Sequence, residues 1–188
     1  MDFDEKLETK KVFTDKKDLT LSISKYCAKA LKRCGVQYKM SRTTDVDIGV
    51  NETVSMCNKY KPDVAVAIHL NAFDDKAIGT EVYHSKFSQK GTILASYVLN
   101  SITPLGVKSR GCKTKLNSSG RDYFGFIRDT DAPAILVECC FIDSTDIKYN
   151  EQIVKNQVKN LELNLKRYKE LLDQDLISKF DYEQLELN

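Results

Sequence analysis

The stretch KPDVAVAIHLNAF, residues 61–73, decides the fold. Val64, Ala65, Val66, Ala67 and Ile68 form an unbroken apolar run that follows a Lys-Pro break and leads straight into His69. Such a run predicts a strand covered on both faces, as in a parallel sheet, because a half-exposed strand would alternate apolar and polar residues. The signature returns at AILV, residues 134–137, which leads straight into Glu138. Each of the two ionisable residues stands at the carboxyl end of a buried run, where open α/β sheets place their ligand sites.

Working outward from these strands, helical spacing recurs before them. Leu19, Ile23, Tyr26, Cys27, Ala30 and Leu31 predict a helix over about 19–34, with Asp18 as its N-cap and Gly35 as its stop. VQYKMS, residues 36–41, alternates like a strand, and residues 51–60 read as a short helix ended by Lys61-Pro62. Residues 80–83 are the next expected strand and 90–101 a further amphipathic helix, closed by Thr103-Pro104. Residues 105–122, interspersed with Gly106, Gly111 and Gly120 and with Lys108, Arg110, Lys113, Lys115 and Arg121, read as a long polar loop. Ile153, Val154, Val158, Leu161, Leu165, Tyr168 and Leu172 mark a long helix. Helices alternating with buried strands predict an α/β fold with a mostly parallel, twisted sheet flanked by helices. The expected organisation is a charged leader at 1–17, a single domain at 18–172 and an acidic tail at 173–188.

Bulk properties narrow the function classes. A chain of 188 residues with 41% hydrophobic content can bury one good core. Its 29 basic and 27 acidic residues leave a net charge of +2, without the single-sign field expected of a nucleic-acid binder. No apolar stretch reaches the roughly eighteen residues of a membrane span, and the first twenty residues are charged where a signal peptide would be apolar. The six cysteines form no CxxC pair and sit mostly in apolar runs, so they read as free thiols packed as small hydrophobes.

Two residues carry the candidate chemistry. His69, taken alone, reads either as a hydrogen-bonded histidine at a strand end or as a metal ligand. Glu138 follows four aliphatic residues, and a carboxylate there is costly to bury unless it is paired, metal-bound or catalytic. Desolvation would raise its pKa into the range useful for acid or base work.

Five segments carry a resemblance: DLTLSISKYCAKALKRCGV (18–36), MSRTTD (40–45), KPDVAVAIHLNAF (61–73), GTEVYHS (79–85) and IRDTDAPAILVECCFID (127–143). In order and approximate spacing they resemble the amidase-3 type N-acetylmuramoyl-L-alanine amidases, over about residues 18–165, and the pair IHLNA and LVECCF is specific to that family. These enzymes cleave the bond between the lactyl group of muramic acid and the first residue of the peptidoglycan stem peptide. The resemblance implies a phosphorylase/hydrolase-like α/β sheet. It also implies a Zn2+ held by two histidines, one glutamate and a water, with a second glutamate beside it. By position, His69 matches the second histidine ligand and Glu138 the catalytic glutamate. Asn71 would shape the loop beneath the metal, and Arg128 would be structural or substrate-orienting.

The match departs from the family at its N-terminal side. The family's first histidine and its glutamate ligand have no counterpart here, and the first strand of the sheet is expected to be missing or replaced. The glutamate position falls on or next to Lys16, which cannot ligate a metal while protonated. His84 stands where the family uses no ligand. Asp15 is the nearest carboxylate, and Asp4, Glu5 and Glu8 are further candidates in the leader. Three accounts stand open: a truncated or mis-started reading frame, an inactive homologue, or an enzyme that recruits leader carboxylates.

The leading expectation is a zinc-dependent peptidoglycan amidase, with peptidoglycan as partner, no nucleic acid, no membrane span and a monomeric state. The alternative is an inactive peptidoglycan-binding or regulatory module, with residues 108–115 gripping stem-peptide carboxylates. An unrelated α/β binding protein would leave both flanking signatures to chance. With no visible signal peptide, cytoplasmic synthesis is expected, followed by action at the cell wall after export or release by lysis.

Overall fold

The computed structural model describes residues 16–74 and 76–143, apart from the side chain of Leu105. The leader up to residue 15, with Asp4, Glu5, Glu8 and Asp15, lies outside the described residues, as do the expected helix at 153–172 and the acidic tail.

Helix α1 (Lys16–Arg33) takes in Asp18 within its first turn, so Asp18 is not the N-cap that its sequence context predicts. The expected stop is in place. Gly35 adopts a left-handed φ of 69°, its N–H bonds Lys32 O at 3.1 Å, and the Val36 N–H reaches back to Leu31 O at 2.9 Å. This paired closure satisfies carbonyls that the helix end would otherwise orphan, and glycine adopts the conformation without a Cβ clash. Residues 36–41 do not form the expected strand. Their alternation is real, but they have no strand partner among the described residues, and Tyr38 is largely exposed. Helix α2 (Val50–Tyr60) ends at Lys61, which turns left-handed before Pro62.

Among the described residues, four strands form one sheet: β1 (Ala65–Asn71), β2 (Thr80–His84), β3 (Ser109–Lys113) and β4 (Ala134–Phe141), in spatial order β1-β4-β2-β3. The β1–β4 and β2–β3 pairings are parallel, and the β4–β2 pairing between them is antiparallel, so the sheet is mixed. Strand β3 falls in the stretch expected to be loop. An edge strand tolerates Arg110, Gly111 and Lys113 because it has only one neighbour to pair with and one face to hide, and the sequence pattern therefore misses it. Strand β4 is the one the apolar run describes best, since every residue of it is buried. Strand β1 is covered less than the run predicts. Among the described residues it pairs on one side only, and Val66 keeps 45% of its surface exposed.

Helix α3 (Gln89–Ile102) begins at Ser88, whose side chain accepts from the Gly91 N–H. Its residues Ala95, Leu99 and Ile102 pack with Ile23 of α1 onto Leu70, Val82, Ile135 and Val137, which form the core. On the opposite face of the sheet, Tyr83 meets Phe124, next to the short helix α4 (Gly125–Asp129), with ring centres 4.8 Å apart. No disulfide joins the six cysteines, and Cys139 and Cys140 are built into the core. No helix among the described residues is long and apolar enough to cross a membrane.

Truncating a side chain of the interior strand β4 tests this layering. Ile135, fully buried, is expected to cost about 2–5 kcal/mol on replacement by alanine, whereas Val66→Ala on β1 should stay within about 1 kcal/mol. Urea unfolding of the two variants measures the difference.

Candidate active site

The strand registers assemble the site. His69 is the direct partner of Glu138 across β1 and β4, and Glu81 is the direct partner of Glu138 across β2 and β4. Register partners on adjacent strands share a face, so the three side chains form one row across the middle of the sheet. The two residues singled out from the sequence are thus brought together. The third member, Glu81, is one that sequence reasoning passed over.

Glu81 and Glu138 are neighbours in opposite states. The Glu81 side chain is 3% exposed and accepts four hydrogen bonds. Asn71 Nδ2 at 3.0 Å and Tyr83 Oη at 2.9 Å donate to Oε1, while Arg110 Nε at 2.9 Å and Lys113 Nζ donate to Oε2. Burial alone would raise its pKa, but the bonds from Lys113, Arg110 and Tyr83 outweigh burial and hold Glu81 below the usual carboxylate range. The Tyr83 phenol is pushed up to about 12 by burial and by its bond to Glu81.

Among the described residues Glu138 has none of this support. Its Oε2 is buried without a hydrogen-bond partner among the described residues. Burial pushes its pKa up to about 7; the positive charge of Lys16 works against that rise and the negative charge of Glu81 adds to it. Two carboxyls whose environments drive their pKa values apart divide the work of a charged scaffold and a proton carrier.

His69 presents its ring at the exposed end of the row. Partial desolvation by the surrounding protein lowers its pKa, and the positive charge of Lys16 lowers it further. The ring is therefore neutral at pH 7, the form that binds a metal. Lys16, at the start of α1, is thus within electrostatic reach of both His69 and Glu138.

The remaining candidates fall into place around this row. Asn71 accepts the Ala72 N–H at 2.9 Å and donates to Glu81, tying the loop after β1 to the buried carboxylate. Of the two roles open to Arg128, the structure displays the structural one. Its guanidinium bonds Asp129 at 2.7 and 3.0 Å and the carbonyls of Asp122 and Tyr123, securing the turn before α4. His84 ends β2 opposite Ile135, three residues from Glu138 along β4. Its Nδ1 lies 2.9 Å from Ser85 O and 3.2 Å from Thr92 Oγ1, away from the row.

A metal can be tested against these donors. The neutral His69 ring and the unpartnered oxygen of Glu138 suit a divalent cation, but no group of three metal-ligating side chains occurs among the described residues. A catalytic zinc needs three protein ligands and one open position. Among the described residues, His69 and Glu138 fall short of that number, and the positive charge of Lys16 acts on both.

A buried acid whose pKa lies near 7, in register with a histidine on the adjacent strand, can exchange a proton near neutral pH. The N-acetylmuramoyl-L-alanine amidase family matches residues 8–163, and the chain belongs to that family. It is 30% identical over 138 residues to the endolysin of Bacillus phage SPP1, covering 69% of this chain and 48% of that protein. It is 28% identical over 156 residues to the probable cell wall amidase LytH of Staphylococcus epidermidis, covering 81% and 49%. Among solved structures it resembles an N-acetylmuramoyl-L-alanine amidase from Clostridium difficile 630, with a TM-score of 0.73, 28% identity, and coverage of 82% of this chain and 84% of that one. The chain spans about half the length of the curated relatives it matches. Enzymes of this family are generally zinc-dependent.

Glu81 was detectable in principle. TEVYH places a carboxylate inside a short strand, and a charge in that position calls for buried partners. Those partners, Arg110 and Lys113, lie in the stretch read as loop.

The raised pKa of Glu138 makes a testable statement about stability. A carboxyl raised from 4.5 to about 7 on folding favours the folded state fully below the lower value, and that contribution is lost as pH rises through 7. With a chelator present, denaturant unfolding should show wild type losing stability between pH 5 and pH 8 relative to Glu138→Gln. Parallel profiles for the two proteins would mean that Glu138 is not held protonated by the fold.

Proposed function

We propose that this domain hydrolyses the amide between N-acetylmuramic acid and the L-alanine of the peptidoglycan stem peptide, with Glu138 as the proton-transferring group. The observation that carries the reading is the placement of Glu138. It is buried in the central strand, its pKa lies near neutrality, and it stands in register with His69. A carboxyl so poised can take a proton from an attacking water and return it to the leaving nitrogen, because its two forms are close in free energy at working pH. The ionised Glu81 beside it opposes a second negative charge and so favours the protonated state after transfer.

Membership in the amidase family supports the substrate class, as do relatives named as an endolysin and a probable cell wall amidase. Zn2+ is the cofactor this reading calls for, with His69 as a ligand. When bound it lowers the pKa of a water and polarises the scissile carbonyl. The domain works as a monomer at the cell wall, reached by export or by release on lysis.

A second reading has its own observation. The Lys16 charge acts on both His69 and Glu138, and a fixed cation there disfavours a divalent metal. On this reading the domain binds peptidoglycan without cleaving it.

Two measurements decide between them. Purified cell-wall material should release stem peptide in the presence of the wild-type chain and zinc. Glu138→Ala should abolish release while retaining a cooperative thermal transition, and undiminished release by that variant would remove Glu138 from its role. Lys16→Glu replaces a repelling charge with a donor and should raise zinc affinity by about tenfold or more in a chelator competition. Equal affinities would show that Lys16 does not influence the metal.

A further inference from the structure

The row of His69, Glu138 and Glu81 continues onto β3, and an irregularity in that strand is the reason. The β2–β3 register pairs Thr80 with Ser109 and Val82 with Cys112, so β3 spends three steps where β2 spends two. Residues three apart in a regular strand point to opposite faces. The extra residue reverses that parity, and Arg110 and Lys113 both come to lie on the face of Glu81. Gly111, at φ 88°, supplies the backbone conformation that this bulge requires.

The result is more positive charge than Glu81 needs. Two cations share one carboxylate, and both reach solvent, with side chains 32% and 34% exposed. Arg110 uses Nε on Glu81 and places Nη1 3.5 Å from Ile78 O, leaving Nη2 uncommitted among these contacts. Its guanidinium lies 4.8 Å from the centre of the Phe141 ring, which holds the plane in place. Lys113 gives one of its three N–H groups to Glu81. The neighbouring Lys115 is engaged elsewhere, 3.9 Å from the ring centre of Tyr123.

The spacing suits one kind of ligand. Strands lie about 4.8 Å apart, so β3 is about 10 Å from Glu138 across the sheet, roughly the length of two to three extended peptide residues. We infer that Arg110 and Lys113 form a carboxylate-binding subsite, which holds a free carboxylate of the substrate peptide two to three residues from the amide presented to Glu138. Glu81 is then the fixed counter-charge that keeps the two cations parallel and preorganised, and the substrate carboxylate completes the charge balance. The inference rests on the reading of this domain as one that binds peptidoglycan peptides.

The test compares two synthetic muramyl peptides that differ only in whether the second residue carries a free carboxylate or a carboxamide. Calorimetric binding to the full chain is the readout, independent of turnover. Wild type should bind the free-carboxylate peptide about tenfold more tightly, as expected for one charge-assisted hydrogen-bonded contact. Lys113→Gln should reduce this preference to about twofold or less, and Lys113→Arg should retain it. Thermal melting of each variant separates loss of the subsite from loss of fold. If Lys113→Gln proves unstable, the wild-type preference and its retention in Lys113→Arg still decide the matter. Equal binding of the two peptides by wild type, or equal weakening of both in a folded Lys113→Gln, would overturn the subsite alone. Binding of neither peptide would overturn the peptidoglycan reading and the subsite with it.

Discussion

Two carboxyl groups in register on adjacent buried strands cannot both be ionised without severe repulsion, and this constraint organises the polar face of the sheet. The fold resolves it by asymmetry. Glu81 receives four donors and stays charged, while Glu138 receives burial and keeps its proton up to about pH 7. The asymmetry depends on Arg110 and Lys113 reaching Glu81, and hence on the extra residue in β3. A second irregularity lies on the other side of the row. The β1–β4 register pairs His69 with Glu138 but Asn71 with Phe141, so β4 carries one extra residue there. That shift brings Phe141 onto the polar face beneath Arg110. Each bulge re-aims a side chain that the row uses.

The opposite face has a simpler logic. Helices α1 and α3 lay apolar residues onto Leu70, Val82, Ile135 and Val137, fixing the strands that carry the row. The same packing that stabilises the domain therefore sets the spacing of the side chains in the row. A fully buried β4 packs Glu138 from both sides of the strand, and its Oε2 has no hydrogen-bond partner among the described residues.

Local patterns made part of this legible in advance. AILV reads as a buried strand because each of its residues is aliphatic, and it is one. The stop of α1 reads correctly because Gly35 is chemically suited to a left-handed turn. VAVAI reads correctly as a strand but not as a doubly covered one, since Val66 keeps 45% of its surface exposed and an apolar run does not reveal what packs on each face. VQYKMS shows the reverse error, alternation without a partner strand. The candidate site divides in the same way. His69 and Glu138 announce themselves by following apolar runs. Glu81 depends on two cations 29 and 32 residues further along the chain, delivered by a bulge that SRGCK does not advertise. Non-local charge neutralisation and strand parity leave no periodic trace in the chain.

The sheet order also constrains how the chain can assemble. Strand β4 lies between β1 and β2 in space but is the last of the four to be synthesised. Strands β2 and β3, joined through α3, can close as a local βαβ unit while the chain is still emerging. Among the described residues, strand β1 has no strand to pair with until residues 134–141 arrive and insert between the two halves. The pairing of His69 with Glu138 consequently forms in the same late event that joins the four described strands. A nascent chain can therefore hold Glu81 with Arg110 and Lys113 on β2 and β3, but not the pair of His69 and Glu138, before β4 is in place.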